Sequence, residues 1–174
     1  SSMGSARAGG PASRRAEAAV RAGLISDTHG LVRPEVLEVF AGVDRILHAG
    51  DVGSADCLAA LESLAPVTAV WGNTDGPALR RRLPETAHVE LDGRLVVVVH
   101  GHQFGFPEPP ALRAAYPEAD VVVFGHTHQP VVDEREGRLV VNPGAAGPAR
   151  RGERPSVALL SIGPEGLAAR IVLL

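Results

Sequence analysis

The chain has 174 residues, 45% hydrophobic and 21% charged, which suits one soluble domain with a well-buried core. A formal charge of −3 gives no electrostatic footprint for long nucleic acid or an anionic membrane, and 3% aromatics leave the core to Val, Leu, Ala and Ile. A single cysteine, Cys57, excludes an internal disulfide, and no apolar run approaches the roughly 20 residues of a membrane-spanning helix.

Residues 1–19 are rich in Ser, Gly, Ala and Arg, carry no apolar period and read as a disordered tail or an expression scar outside the fold. One folded domain is expected over 20–174, with no secretory signal and a cytoplasmic location. "VRAGLIS" (20–26) predicts a strand, and "RPEVLEVFA" (33–41) a helix with Pro34 in its first turn. "DRILHAG" (44–50) is the next strand. "SADCLAALESLA" (54–65) is the next helix, with Ser54 as N-cap and Cys57 buried beside Leu61 and Leu64. "VTAVWG" (67–72) is a third strand. Apolar strands alternating with helices indicate a parallel sheet covered on both faces.

The second half changes character. "AHVELDGRLVVVVHG" (87–101) predicts a hairpin turning at Asp92-Gly93. A short helix at "PALRAAY" (110–116) precedes a buried strand, "ADVVVFG" (119–125). "PVVDEREGRLVVNPG" (130–144) and "SVALLSIGPEGLAARIVLL" (156–174) each predict a strand pair hinged on a Gly-containing turn. The expected fold is α/β, with two sheets packed together and helices outside.

Polar clusters follow the apolar runs within one or two residues. "SDTHG" brings Asp27 and His29, "HAGDVG" Asp51, and "WGNTDG" Asn73 and Asp75. "LVVVVHGH" ends on His100 and His102, and "VVVFGHTH" on His126 and His128. In α/β sheets the carboxyl ends of strands share an edge where ligands bind, so these groups can converge. Carboxylates, an amide and imidazoles without a thiolate suit Mn, Fe, Co, Ni or Zn. The donors are too many for one tetrahedral ion and sufficient for two. A two-metal site needs ions about 3.5–4 Å apart and a bridging carboxylate, which the Gly50-Asp51 turn can supply. Two divalent ions with two carboxylates leave about +2, or about +1 with a hydroxide, a balance that attracts a phosphoryl group and still releases product.

The ordered set D-x-H, G-D, G-N-x-D, H-G-H, G-H-T-H and N-P-G resembles the calcineurin-like metallophosphoesterases, and in its short chain the small YfcE-like phosphodiesterase branch. The likeness spans roughly Ala22 to Leu174. It implies a four-layer αββα sandwich, two mixed β-sheets flanked by helices. It further implies that Asp27, His29, Asp51 and His128 hold one ion, and that Asp51, Asn73, His100 and His126 hold a second, with Asp51 bridging. The implied reaction is in-line attack of a metal-bridging hydroxide on phosphorus. Many members carry histidine third in G-N-H-[DE]; here Thr74 stands there, leaving His102 and Asp75 as candidates for the leaving-group acid. Ala145 replaces a serine common after N-P-G.

Among the remaining residues, His48 reads as a supporting histidine rather than a ligand, His88 as a surface residue and Arg80–Arg82 as a solvated helical face. Arg150 and Arg151 leave the N-P-G loop; Arg150, with Asn73 and His102, is expected to meet substrate phosphate. The leading expectation is a metal-dependent phosphodiesterase with two divalent ions, manganese first, and an open site for small phosphoesters. Two alternatives stand beside it: a non-catalytic scaffold or binding protein on the same fold, as the small scaffold subunit of the retromer coat resembles, and a phosphomonoesterase or nuclease.

Overall fold

The computed structural model describes residues 19–174; the tail expected over 1–19 lies outside the described residues, Ala19 excepted. The β-branched and leucine runs pair into two five-stranded sheets. In the first, β1 (Val20–Ile25), β2 (Arg45–His48) and β3 (Val67–Ala69) are parallel, and β9 (Ser156–Gly163) and β10 (Gly166–Leu173) complete it in the order β10-β9-β1-β2-β3. In the second, β4 (Thr86–Leu91), β5 (Arg94–Val99), β6 (Val121–Val123), β7 (Val131–Arg135) and β8 (Arg138–Asn142) run in the order β4-β5-β6-β8-β7. There β5, β6 and β8 are parallel to one another, and the edge strands are antiparallel.

Period-two alternation explains the layering. Val96 and Val98 of β5 and Val121 and Val123 of β6 face Ala22, Leu24 and Leu47 of the other sheet, forming the core between the sheets. Their neighbours Val97, Val99 and Val122 face outward onto Leu112 of helix α4 (Pro109–Ala115). On the opposite outer face, Ile25 and Ile46 pack on Val36 of α1 (Pro34–Val39), Phe40 just beyond it, and Leu61 of α2 (Ala55–Glu62). Each fully buried aliphatic side chain contributes about 1.5–3 kcal/mol, so packing rather than propensity sustains helices of six to eight residues. The result is the expected αββα sandwich.

Several elements differ in detail. The third strand stops at Ala69 because Trp71 N–H turns aside to Pro84 O at 3.1 Å. Ser54 stands at the N-cap of α2 without a side-chain cap bond; its hydroxyl lies 3.5 Å from the Cys57 sulfur instead. Asp92-Gly93 forms the expected hairpin turn, both residues having positive φ. A further helix, α3 (Pro77–Arg82), follows the Asn73 loop. The parallel strands of both sheets direct their carboxyl ends to one rim, where His100 Nδ1 meets Ala49 O at 2.7 Å and His126 N–H meets Asp27 Oδ2 at 3.2 Å.

Candidate metal centre

Two carboxylates organise the rim, each anchored by one oxygen. Asp27 Oδ2 accepts the Ser26 hydroxyl at 2.6 Å and the His126 N–H at 3.2 Å. Its Oδ1 is buried without a hydrogen-bond partner. Asp51 Oδ1 accepts the Thr74 N–H at 3.0 Å, leaving Oδ2 free to face the imidazoles. Such an arrangement fixes the carboxylate planes and presents one bare oxygen from each.

The imidazoles meet those oxygens. His128 Nε2 lies 3.3 Å from Asp27 Oδ1, and His100 Nε2 lies 3.3 Å from Asp51 Oδ2. His29 Nε2 is 3.9 Å from both free oxygens and is itself buried without a partner. Asn73 Oδ1 sits 3.0 Å from His100 Nε2. His100 gives its Nδ1–H to Ala49 O, and His128 turns Nδ1 to both Glu153 oxygens at 3.2 Å. With each Nδ1 engaged, the two Nε2 atoms direct lone pairs at oxygens, a contact that calls for a proton or a metal cation between them.

Electrostatics express the same demand. Burial pushes His100 down, but its hydrogen bond to Asp51 and the charges of Asp27 and Asp51 hold it above its ordinary value. For His128 the close approach of the Asp27 carboxylate dominates and raises it against burial. Burial pushes the Asp51 carboxyl up, yet His100 and Thr74 bring it well below the carboxylate range. Two triads suit a cation, Asp27–His29–His128 and Asp27–Asp51–His100. Asp27 thus belongs to both, and Asp51 Oδ2 reaches from His29 on one side to His100 on the other.

The backbone is strained at the same places. Outside the hairpin turns at Asp92 and Glu136, the non-glycine residues with positive φ among the described residues are Asp27, His29, Asp51, His126 and His128, at 46° to 69°. Each such residue costs on the order of 1 kcal/mol, and strain of this kind collects at working sites. Glycines make the convergence possible. Gly50 has φ +95°, and a Cβ there would stand 2.7 Å from His100 Nδ1. A Cβ on Gly72 would collide with Asp51 Oδ1 and backbone N.

His126 and His102 complete the wall without joining the tight triads. The His126 ring lies 5.1 Å from that of His100, and His102 lies 5.4 Å from it on the side of Trp71. Burial, then the proximity of His100, lowers both. His102 Nδ1 is buried and unpartnered.

Asp75, a candidate for the leaving-group acid, is buried and carries a structural load. Its carboxylate accepts the N–H groups of Val52, Gly53 and Gly72 at 3.2, 2.9 and 2.8 Å, which clamps the Asp51 and Asn73 loops together. Arg80, Arg81 and Arg82 are exposed, as expected of a solvated helical face, and Arg80 makes contacts besides. It donates to Asp75 O and Asn73 O at 2.7 and 2.9 Å and lies over the Trp71 ring at 4.5 Å. Arg150 is exposed, with its backbone N–H on Glu153. His88 is exposed on β4.

Further residues tie the rim loops to one another. His48, fully buried, accepts Gly50 N–H on Nδ1 at 3.2 Å, so Nε2–H donates to Thr28 Oγ1 at 3.0 Å, and that hydroxyl donates to Val52 O at 2.8 Å. This relay joins the Asp27 loop to the Asp51 loop. Asn142 of N-P-G donates to Gly125 O and Thr127 Oγ1, fixing the His126–His128 loop. Ser26 could be suspected from its place beside Asp27, whereas Glu153, 25 residues from His128, leaves no local signal.

Comparison with known proteins supplies the family. The calcineurin-like phosphoesterase superfamily domain matches residues 20–165. The chain is 40% identical to a probable metallophosphoesterase of Methanothermobacter thermautotrophicus, across 86% of this chain and 90% of that one. It is 34% identical to phosphodiesterase YfcE of Escherichia coli, across 78% of this chain and 84% of that one. In structure it is similar to vacuolar protein sorting 29 of Cryptosporidium parvum, with a TM-score of 0.76 and 21% identity over 91% of this chain and 99% of that one, a likeness of fold. The Asp, Asn and His loops of the rim all fall within the matched span, and the chain belongs to the calcineurin-like phosphoesterase superfamily.

Proposed function

We propose that the protein is a two-metal phosphoesterase that hydrolyses small phosphodiesters. The observation that carries this reading is the pair of tethered carboxylates whose free oxygens, Asp27 Oδ1 and Asp51 Oδ2, face three imidazole Nε2 atoms at 3.3 to 4.0 Å. In this assignment Asp27, His29 and His128 would hold one divalent ion, Asn73, His100 and His126 would hold the other, and Asp51 would serve both. The donors suit manganese, with Ni, Co, Fe or Zn as alternatives. When bound, such ions make water acidic enough to supply a nucleophile near neutral pH and draw charge from phosphoryl oxygens. The chain does the rest. Ser26 and Thr74 hold the carboxylate planes, while Ala49 O and Glu153 set the tautomers of His100 and His128. His102, whose ring lies beside those of His100 and Trp71, orients a phosphoryl or leaving oxygen, and Arg150 meets the incoming anion. A cytoplasmic location is part of the same proposal.

Metal analysis with paired kinetics tests it. Reloaded wild-type protein is expected to hold about two manganese ions, Asn73→Ala about one, and Asp51→Asn fewer than one. Turnover of diesters should exceed that of matched alkyl monoesters. Unchanged occupancy in Asp51→Asn refutes the shared ligand, and equal or faster monoester turnover refutes the diester preference. Two bound ions without hydrolysis of any ester would return the protein to the binding-protein alternative.

A further inference from the structure

Two aromatic rings flank the histidine wall of the site, one beside His102 and one beside His126, the latter assigned to the second ion. Trp71 lies 5.4 Å from His102, and Phe106 stacks on His126 at 4.9 Å and 25°. They differ in what covers them. The Arg80 guanidinium occupies a face of Trp71 at 4.5 Å, whereas Phe106 remains 79% exposed. An apolar ring that has one face on a metal-ligand candidate and is otherwise in water is set to receive a partner.

Phe106 also walls a cleft of about 560 Å³ beside the His126–His128 loop. Pro107, Pro109 and Pro130 supply stiff apolar lining, and Glu108, Thr127 and Gln129 supply polar lining. Among the described residues no arginine lines it, and Glu108 repels a second phosphate. The occupant selected by these walls is an uncharged, flat organic group. We propose that Phe106 is a specificity-determining platform, and that this cleft seats a planar aromatic group carried by the phosphoester. The inference rests on the phosphoesterase reading and adds a substrate class to it.

Isothermal titration of manganese-loaded protein with phenyl-, cyclohexyl- and methylphosphonate tests it, at a mildly alkaline pH where all three are dianions. Wild-type protein is expected to bind phenylphosphonate about tenfold more tightly than methylphosphonate, with the cyclohexyl compound between them. Phe106→Ala should compress that range to about twofold, and Phe106→Tyr should keep it. A wild-type protein that does not discriminate overturns the proposal, as does discrimination that survives Phe106→Ala. Self-association that Phe106→Ala abolishes would assign the face to a second copy and overturn it equally. Failure of all three phosphonates to bind defeats the phosphoesterase reading as well, whereas loss of discrimination alone leaves that reading standing.

Discussion

The buried relay through His48 makes the fold sensitive to acid in a calculable way. His48 is pushed down from 6.5 to about 4, first by burial and against the pull of Asp27 and Asp75. An unfolded chain takes up the proton near 6.5, and the folded protein resists it until about 4. The unfolded state therefore binds more protons across that window, so stability rises with pH there and is lost as pH falls through it. By pH 4 the accumulated loss from this residue is about 3 kcal/mol, a large share of the 5–15 kcal/mol typical of a domain. Below the folded value no further loss accrues. His48→Gln keeps a donor for Thr28 and removes the titration, at a cost of about 1–2 kcal/mol at neutral pH. Urea unfolding of metal-stripped wild-type and variant protein, at a series of pH values, gives two stability curves. Their difference reports the titration of His48 together with its coupling to the charges of Asp27, Asp75, His100 and Asp51. The difference between the curves should change by about 3 kcal/mol between neutral pH and pH 4, so that they cross and the variant becomes the more stable of the two in acid. Parallel curves would show that His48 is not the neutral, buried link described here.

Glu153→Gln should weaken metal binding by about 10- to 100-fold with little change in thermal unfolding, read by competition with a chelator, since the carboxylate acts through His128. Asp75→Asn should cost about 3 kcal/mol in chemical denaturation through its three backbone N–H contacts. The dependence of the residual rate on leaving-group acidity should stay as in wild type, and a steeper dependence would identify Asp75 as the acid. Gly72→Ala should abolish binding of both ions, because its Cβ meets both the side chain and the backbone of Asp51; two ions per chain in that variant would refute the close approach.

The layers of the fold were legible because burial leaves a periodic trace. Val96 to Val99 alternate between the sheet interface and α4, and any register that buried both sets predicts a covered sheet on each side. The positions of Asp27, His29, Asp51, Asn73, His100, His126 and His128 were legible for a related reason: each interrupts the end of an apolar strand, where polarity is unexpected unless it serves the rim. Helix α3 left a weaker trace, since among its residues only Leu79 is buried.

Chain order determined which residues reach the rim, and tertiary structure alone decided what each does there. Whether a carboxylate oxygen is free depends on partners far away in sequence, as with His126 N–H on Asp27, 99 residues apart. The same holds for Asp75, whose spacing resembles a site residue until three N–H groups from two loops consume it. Glu153 and Phe106 carry no local period and acquire their places through loops that follow other strands. Periodicity is a property of neighbours along the chain, while hydrogen-bond valence and ring exposure are properties of neighbours in space, and the second kind exists only once the two sheets have closed on each other.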